Sequence, residues 1–235
     1  MLENQQGFKD SSCLTKWAMW LLYAQIVIGV IAVISSLFEY QVLLNLKNDA
    51  YASQELAEAA ANASDIRQRL IGMIQILLYF TSAVLIAMWI YRANQNARQL
   101  GAEDMKFTPG WSVGWYFVPI LDLWKPYQAM KEIWKASANP SAWKTQPVSS
   151  LLPWWWFFWI VSICLARVTY QLSSKEKEIE DGIVVNVISQ LSDLSNITLT
   201  IILIAIIGKI YKMQKLRAEQ RQENARIAID PFTTS

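Results

Sequence analysis

Charged side chains are scarce in the apolar parts of this chain, and two of them fall inside long uncharged runs: Arg167 and Asp193. A charge within a membrane-length apolar run is costly unless it pairs, snorkels to the surface or handles an ion. If the runs that carry them form an antiparallel hairpin, the two lie at about the same depth. Three readings follow: a structural ion pair, snorkelling, or an ion- or proton-handling site. The run that holds Asp193 also carries Ser189, Gln190, Ser192, Ser195, Asn196, Thr198 and Thr200. These can bond helix to helix or line a water path. Gln25, Gln75 and Ser82 pose the same choice.

A second cluster lies between residues 92 and 137. Arg92 and Arg98 follow an apolar run, where they can meet anionic lipid, and Arg98 can pair with Asp122. Asn94, Asn96 and Gly101 read as a helix exit, with Gly101 as a left-handed cap. Beyond them lies PGWSVGWYFVPILDLWKPYQAMKEIWKAS, residues 109–137. Its first apolar part, Trp111 to Leu121, is about half the ~20 residues a spanning helix needs. It contains Trp111 and Trp115, is broken by Pro119 and charged by Asp122, and ends at Trp124, Lys125 and Pro126. Thr108-Pro109 reads as an N-cap and first-turn pair. Pro126 starts a second helix, in which Tyr127, Met130, Ile133 and Trp134 take one side and Gln128, Lys131, Glu132 and Lys135 the other. That pattern is a short amphipathic helix suited to a membrane interface. A membrane-bound enzyme would need Asp122 or Glu132 to converge with Arg98 or Lys125 in one pocket.

Several chemistries lack their residues. The chain has no His, which removes the usual general base and the commonest metal ligand. Its two cysteines, Cys13 and Cys164, form no CxxC. No Gly-rich phosphate cradle occurs. The expectation is no catalytic residue, no metal and no cofactor. A net charge of +2 gives no bulk attraction to nucleic acid.

The elements that must position these residues are long and apolar. Of 235 residues 54% are hydrophobic and 17% charged, against about 25% charged in a soluble domain. Twelve are Trp, a residue that favours the headgroup level. Four segments have spanning length: about 17–38, 70–91, 152–170 and 188–210. The polar start, Met1 to Ser12, has no signal-peptide pattern, so the first run reads as a retained span. With four spans and both ends inside, basic residues divide 15 inside to 6 outside; a fifth span at 111–124 lowers this to 13 against 8. The positive-inside rule favours four spans. Segment 109–137 is then re-entrant or interfacial on the cytoplasmic side, and 211–235 is a cytoplasmic tail. Helix formers in ASQELAEAAANASDIRQRL extend the first two spans beyond the membrane. The fold expected is an all-α integral membrane protein, residues 1–235 forming one membrane domain.

The string YRANQNARQLGAEDMKFTPGWSVGWYFVPILDLWKPYQAMKEIWKAS resembles the core signature of the DUF4328 family, a group of uncharacterised bacterial membrane proteins. The matching positions include Tyr91, Arg92, Asn96, Gly101, Pro109, Trp111, Trp115, Pro119, Trp124, Pro126, Tyr127 and Trp134. The resemblance covers about 45 residues. It implies a bacterial membrane setting and supplies no activity or catalytic residue. The function expected is a non-enzymatic interaction, scaffold or lipid-binding protein of the bacterial inner membrane. Its partners are membrane lipid, a second copy or another membrane protein. The alternatives are a small channel or transporter component using the polar fourth span, then a membrane enzyme acting on lipid.

Overall fold

The computed structural model describes residues 7–174 and 178–229, with side chains to Asn224. The tail end from 230 and the loop charges Lys175 and Lys177 lie outside the described residues. Six α-helices follow in order: α1 Ser12–Lys47, α2 Gln54–Gln99, α3 Pro109–Gly114, α4 Lys125–Ala138, α5 Leu151–Ser173 and α6 Ile179–Ile229. Short 3₁₀ turns lie at Trp115–Phe117, Leu121–Leu123 and Trp143–Thr145. The described residues contain no strand.

Helices α1, α2, α5 and α6 are each long and apolar enough to cross a membrane, as the apolar runs predict. α1 and α2 extend well beyond their apolar cores, and only residues 48–53 separate them. The Ala-, Glu- and Gln-rich run continues α2 on the N-terminal side of its apolar core, as its helix propensities dictate.

Contacts divide the chain into two compact units. The first holds residues 1–19, 83–153 and 204–235; the second holds 20–82 and 154–203. The first unit has an ordinary apolar core, in which Trp89, Ala97, Met130, Ile133, Ile206 and Ile210 are almost fully buried. Trp89 also donates from Nε1 to Thr15 Oγ1 at 3.1 Å.

The second unit is built differently. Its large apolar side chains, among them Val27, Ile34, Met73, Leu77, Phe80 and Leu191, are exposed. Polar side chains join its helices from within. Gln25 donates to Ser82 Oγ. Glu39 accepts from Gln68 at 2.8 Å and from Asn186 at 2.7 Å. Arg67 donates to Ser35 Oγ at 2.8 Å and to Ser64 Oγ at 3.0 Å. A hydrogen bond inside and apolar surface outside is the arrangement lipid rewards, because lipid offers helices no hydrophobic reason to associate.

Candidate functional site

The first unit centres on a clamp around residues 105–107. α2 runs on through Asn94 and Asn96 to Gln99, so these two asparagines are helical and buried instead of marking the exit. The exit is at Gly101, with φ of 104°. There Ala102 N donates to Ala97 O and Gly101 N to Arg98 O, the bond pair of a Schellman cap. Asn94 and Arg98, one turn apart, are bonded to each other, Arg98 Nε to Asn94 Oδ1 at 3.1 Å.

Both then reach the loop. Arg98 donates to Met105 O and Phe107 O, each at 2.9 Å. Asn94 Nδ2 donates to Phe107 O at 2.9 Å and to Ser112 Oγ at 2.7 Å. On the other side, the Glu132 carboxylate of α4 accepts from Lys106 N and, at 3.0 Å, from Phe107 N. Arg98 thus holds the carbonyl side of the loop and Glu132 the amide side. Burial raises the Glu132 carboxyl above its ordinary value, and the two backbone hydrogen bonds oppose that shift only in part.

The amphipathic pattern of α4 is present, but its apolar face is core. Met130 and Ile133 are fully covered and Trp134 is 9% exposed. Glu132, expected on the polar side, is buried by its bonds to the loop. Ser137 and Ala138 at the end of α4 meet α6: Gln214 Nε2 donates to Ser137 Oγ at 2.9 Å and to Ala93 O at 2.8 Å, and Arg217 donates to Ala138 O. Asn96 mimics a strand partner, accepting from Lys9 N at 3.2 Å and donating to Lys9 O at 3.0 Å.

From this clamp projects the aromatic segment. Thr108 caps α3, accepting from Trp111 N at 3.3 Å, and Pro109 opens the helix, as the Thr-Pro pair predicts. Trp111 and Trp115 pack with centroids 4.6 Å apart. Gly114 makes room, since a Cβ there would lie 3.1 Å from the Trp111 ring. The helix ends before Pro119, and α4 begins with Pro126 in its first turn. Between them Ile120 has φ of 69°, a rare conformation for a β-branched residue. Phe117 is 79% exposed and Ile120 70%, and Trp111, Leu123 and Trp124 are exposed beside them in the sequence. The Lys125 ammonium lies over two rings, 5.5 Å from Trp115 and 5.8 Å from Phe107.

Other expected pairings do not form. Arg98 spends its guanidinium on the loop and not on Asp122, which is half-buried and enters no ion pair among the described residues. Arg167 is exposed on α5, and Asp193 accepts from Gln75 Nε2 on α2 at 3.1 Å. Equal depth does not fix azimuth: Asp193 turns toward α2. Arg92 and Tyr127 are half-buried. Among the described residues no three His, Cys, Asp or Glu side chains gather as a metal site.

The sequence reading did not single out Ser112 or Gln214. Asn94 spaced one turn from Arg98 was the available signal for the clamp; nothing local marks the other two. No curated protein and no solved structure matches the chain. A family model described as a domain of unknown function (DUF4328) matches residues 52–212, which take in the clamp and the aromatic segment, and the chain belongs to that family.

Proposed function

We propose that this protein is a non-enzymatic interaction protein of the bacterial inner membrane, both termini cytoplasmic, and that residues 111–124 are its lipid-binding element. The observation that carries the reading is an exposed apolar tip on a firmly held base. Phe117 and Ile120 are more than two-thirds exposed, while the loop that enters the segment is bonded from both sides by Arg98, Asn94 and Glu132. The Ile120 backbone costs about 1–3 kcal/mol and is held by the turn bonds Asp122 N to Val118 O and Leu123 N to Ile120 O. An apolar patch beside aromatic rings fits the headgroup boundary. Lys125, seated over two rings, adds a cation for anionic lipid.

The candidate acid–base groups support a non-enzymatic reading. Arg98 and Glu132 are committed to backbone groups. In the polar fourth span Thr198 and Thr200 bond back to their own helix, and Asp193 accepts from Gln75 of α2, which supports helix-to-helix bonding at that one position.

The test is photocrosslinking in liposomes of the full chain, with a photoactivatable side chain at position 117. Recovery of lipid adducts, reduced by Ile120→Ser and Trp124→Ser, is the expected result. Adducts to protein alone would replace lipid with a protein partner, and adducts to neither would remove the element.

A further inference from the structure

The second unit contains a carboxyl group with no compensating charge. Asp193 is the one charged residue between Asp181 and Lys209 on α6, twelve residues from the first and sixteen from the second. At 1.5 Å per residue that places it about 18 and 24 Å along the helix from those charges. It accepts a hydrogen bond from Gln75 Nε2, a neutral donor.

The side chain bonded to it from a neighbouring element is uncharged. α2 brings Gln75, with Arg69 six residues away and exposed. α1 approaches α6 one turn further on, where Gly29 lies against Ile197 so closely that a Cβ would meet the Ile197 side chain at 2.9 Å. The acidic Glu39 of α1 is occupied by Gln68 and Asn186. Arg167 of α5 makes no ion pair with Asp193 and is exposed.

A carboxylate here has three ways to be neutralised: a cationic side chain, a metal cation or a proton. Among the described residues no cationic side chain pairs with Asp193. The second lacks the usual ligands: a hard cation takes about six oxygens, carboxylates first, and among the described residues no three acidic side chains gather. We infer that Asp193 is a proton-binding site within the membrane, held as the neutral acid at neutral pH. The acid form keeps Oδ1 as the acceptor for Gln75 and carries its proton on Oδ2. Loss of that proton leaves an anion inside a membrane-length helix whose bonded partner, Gln75, is neutral.

Infrared difference spectroscopy of the full chain in liposomes tests this, subtracting Asp193→Asn from the parent. Asn keeps the acceptor and the shape of the neutral acid. The expected spectrum at neutral pH contains a protonated-carboxyl carbonyl band that Asp193→Asn lacks. An ordinary Asp ionises near pH 3.9. Asp193→Ser supplies the same subtraction if the Asn variant does not fold. A carboxylate band from Asp193 at neutral pH, turning to acid only near pH 4, overturns the inference. This site is independent of the aromatic element, so either proposal can fail alone.

Discussion

Replacing Glu132 by Ala removes both acceptors from the amide side of the loop clamp. Lys106 is exposed, so its N–H can turn to water at little cost. Phe107 is buried, and its N–H loses a charge-assisted bond of 3.0 Å. An unsatisfied buried donor costs about 1–3 kcal/mol, and the lost bond to a charged acceptor is of similar size. The carboxylate is itself held against burial, which places the net near the lower end, about 2 kcal/mol. That corresponds to roughly a 30-fold rise in the local opening equilibrium. Hydrogen exchange of detergent-purified protein reads it at the Phe107 amide. Glu132→Gln, which restores one acceptor oxygen, should recover part of the protection. The segment 105–108 should loosen while the Gln75–Asp193 region keeps its exchange rates, because its bonds are untouched. Unchanged protection at Phe107 in Glu132→Ala would refute the clamp, and so would equal loss throughout the chain.

Three further outcomes follow from the same geometry. The folded state holds the Glu132 proton more tightly than the unfolded chain, where the ordinary value is 4.5. The contribution of Glu132 is therefore fullest below that value and falls as pH rises through the raised one, by at most about 1.4 kcal/mol per pH unit; Glu132→Gln should flatten that part of a thermal-stability profile. Gly101→Ala meets no neighbouring atom but must adopt a φ of 104°, and should cost about 1–2 kcal/mol in melting experiments. Asn94→Ala takes the acceptor from Arg98 Nε and one donor each from Ser112 Oγ and Phe107 O; it should cost about 1–3 kcal/mol and raise proteolysis of residues 100–108.

The four long helices were legible because hydropathy and length decide them together. The caps were legible too: Thr108-Pro109, Pro126 and Gly101 act through local backbone geometry, which a short stretch of sequence specifies. The loop clamp was not, since Glu132 bonds to amides 25 and 26 residues away. Periodicity gave α4 an apolar face but not its cover. Met130 and Ile133 have the spacing of an interfacial helix, and a core helix has the same spacing. Pairing Arg167 with Asp193 rested on depth along a hairpin, whereas hydrogen bonding depends on which side of α6 faces α2.

The central claim is that the exposed tip of the aromatic segment rests in lipid. Depth-dependent quenching measures it most directly: a single environment-sensitive fluorophore on Phe117→Cys, in a background with Cys13 and Cys164 replaced by Ser, read against lipids carrying quenchers at different depths in liposomes. Strong quenching near the headgroup boundary, with protection from a water-soluble quencher, is the predicted result. Emission that lipid quenchers leave unchanged and the water-soluble quencher abolishes would contradict it.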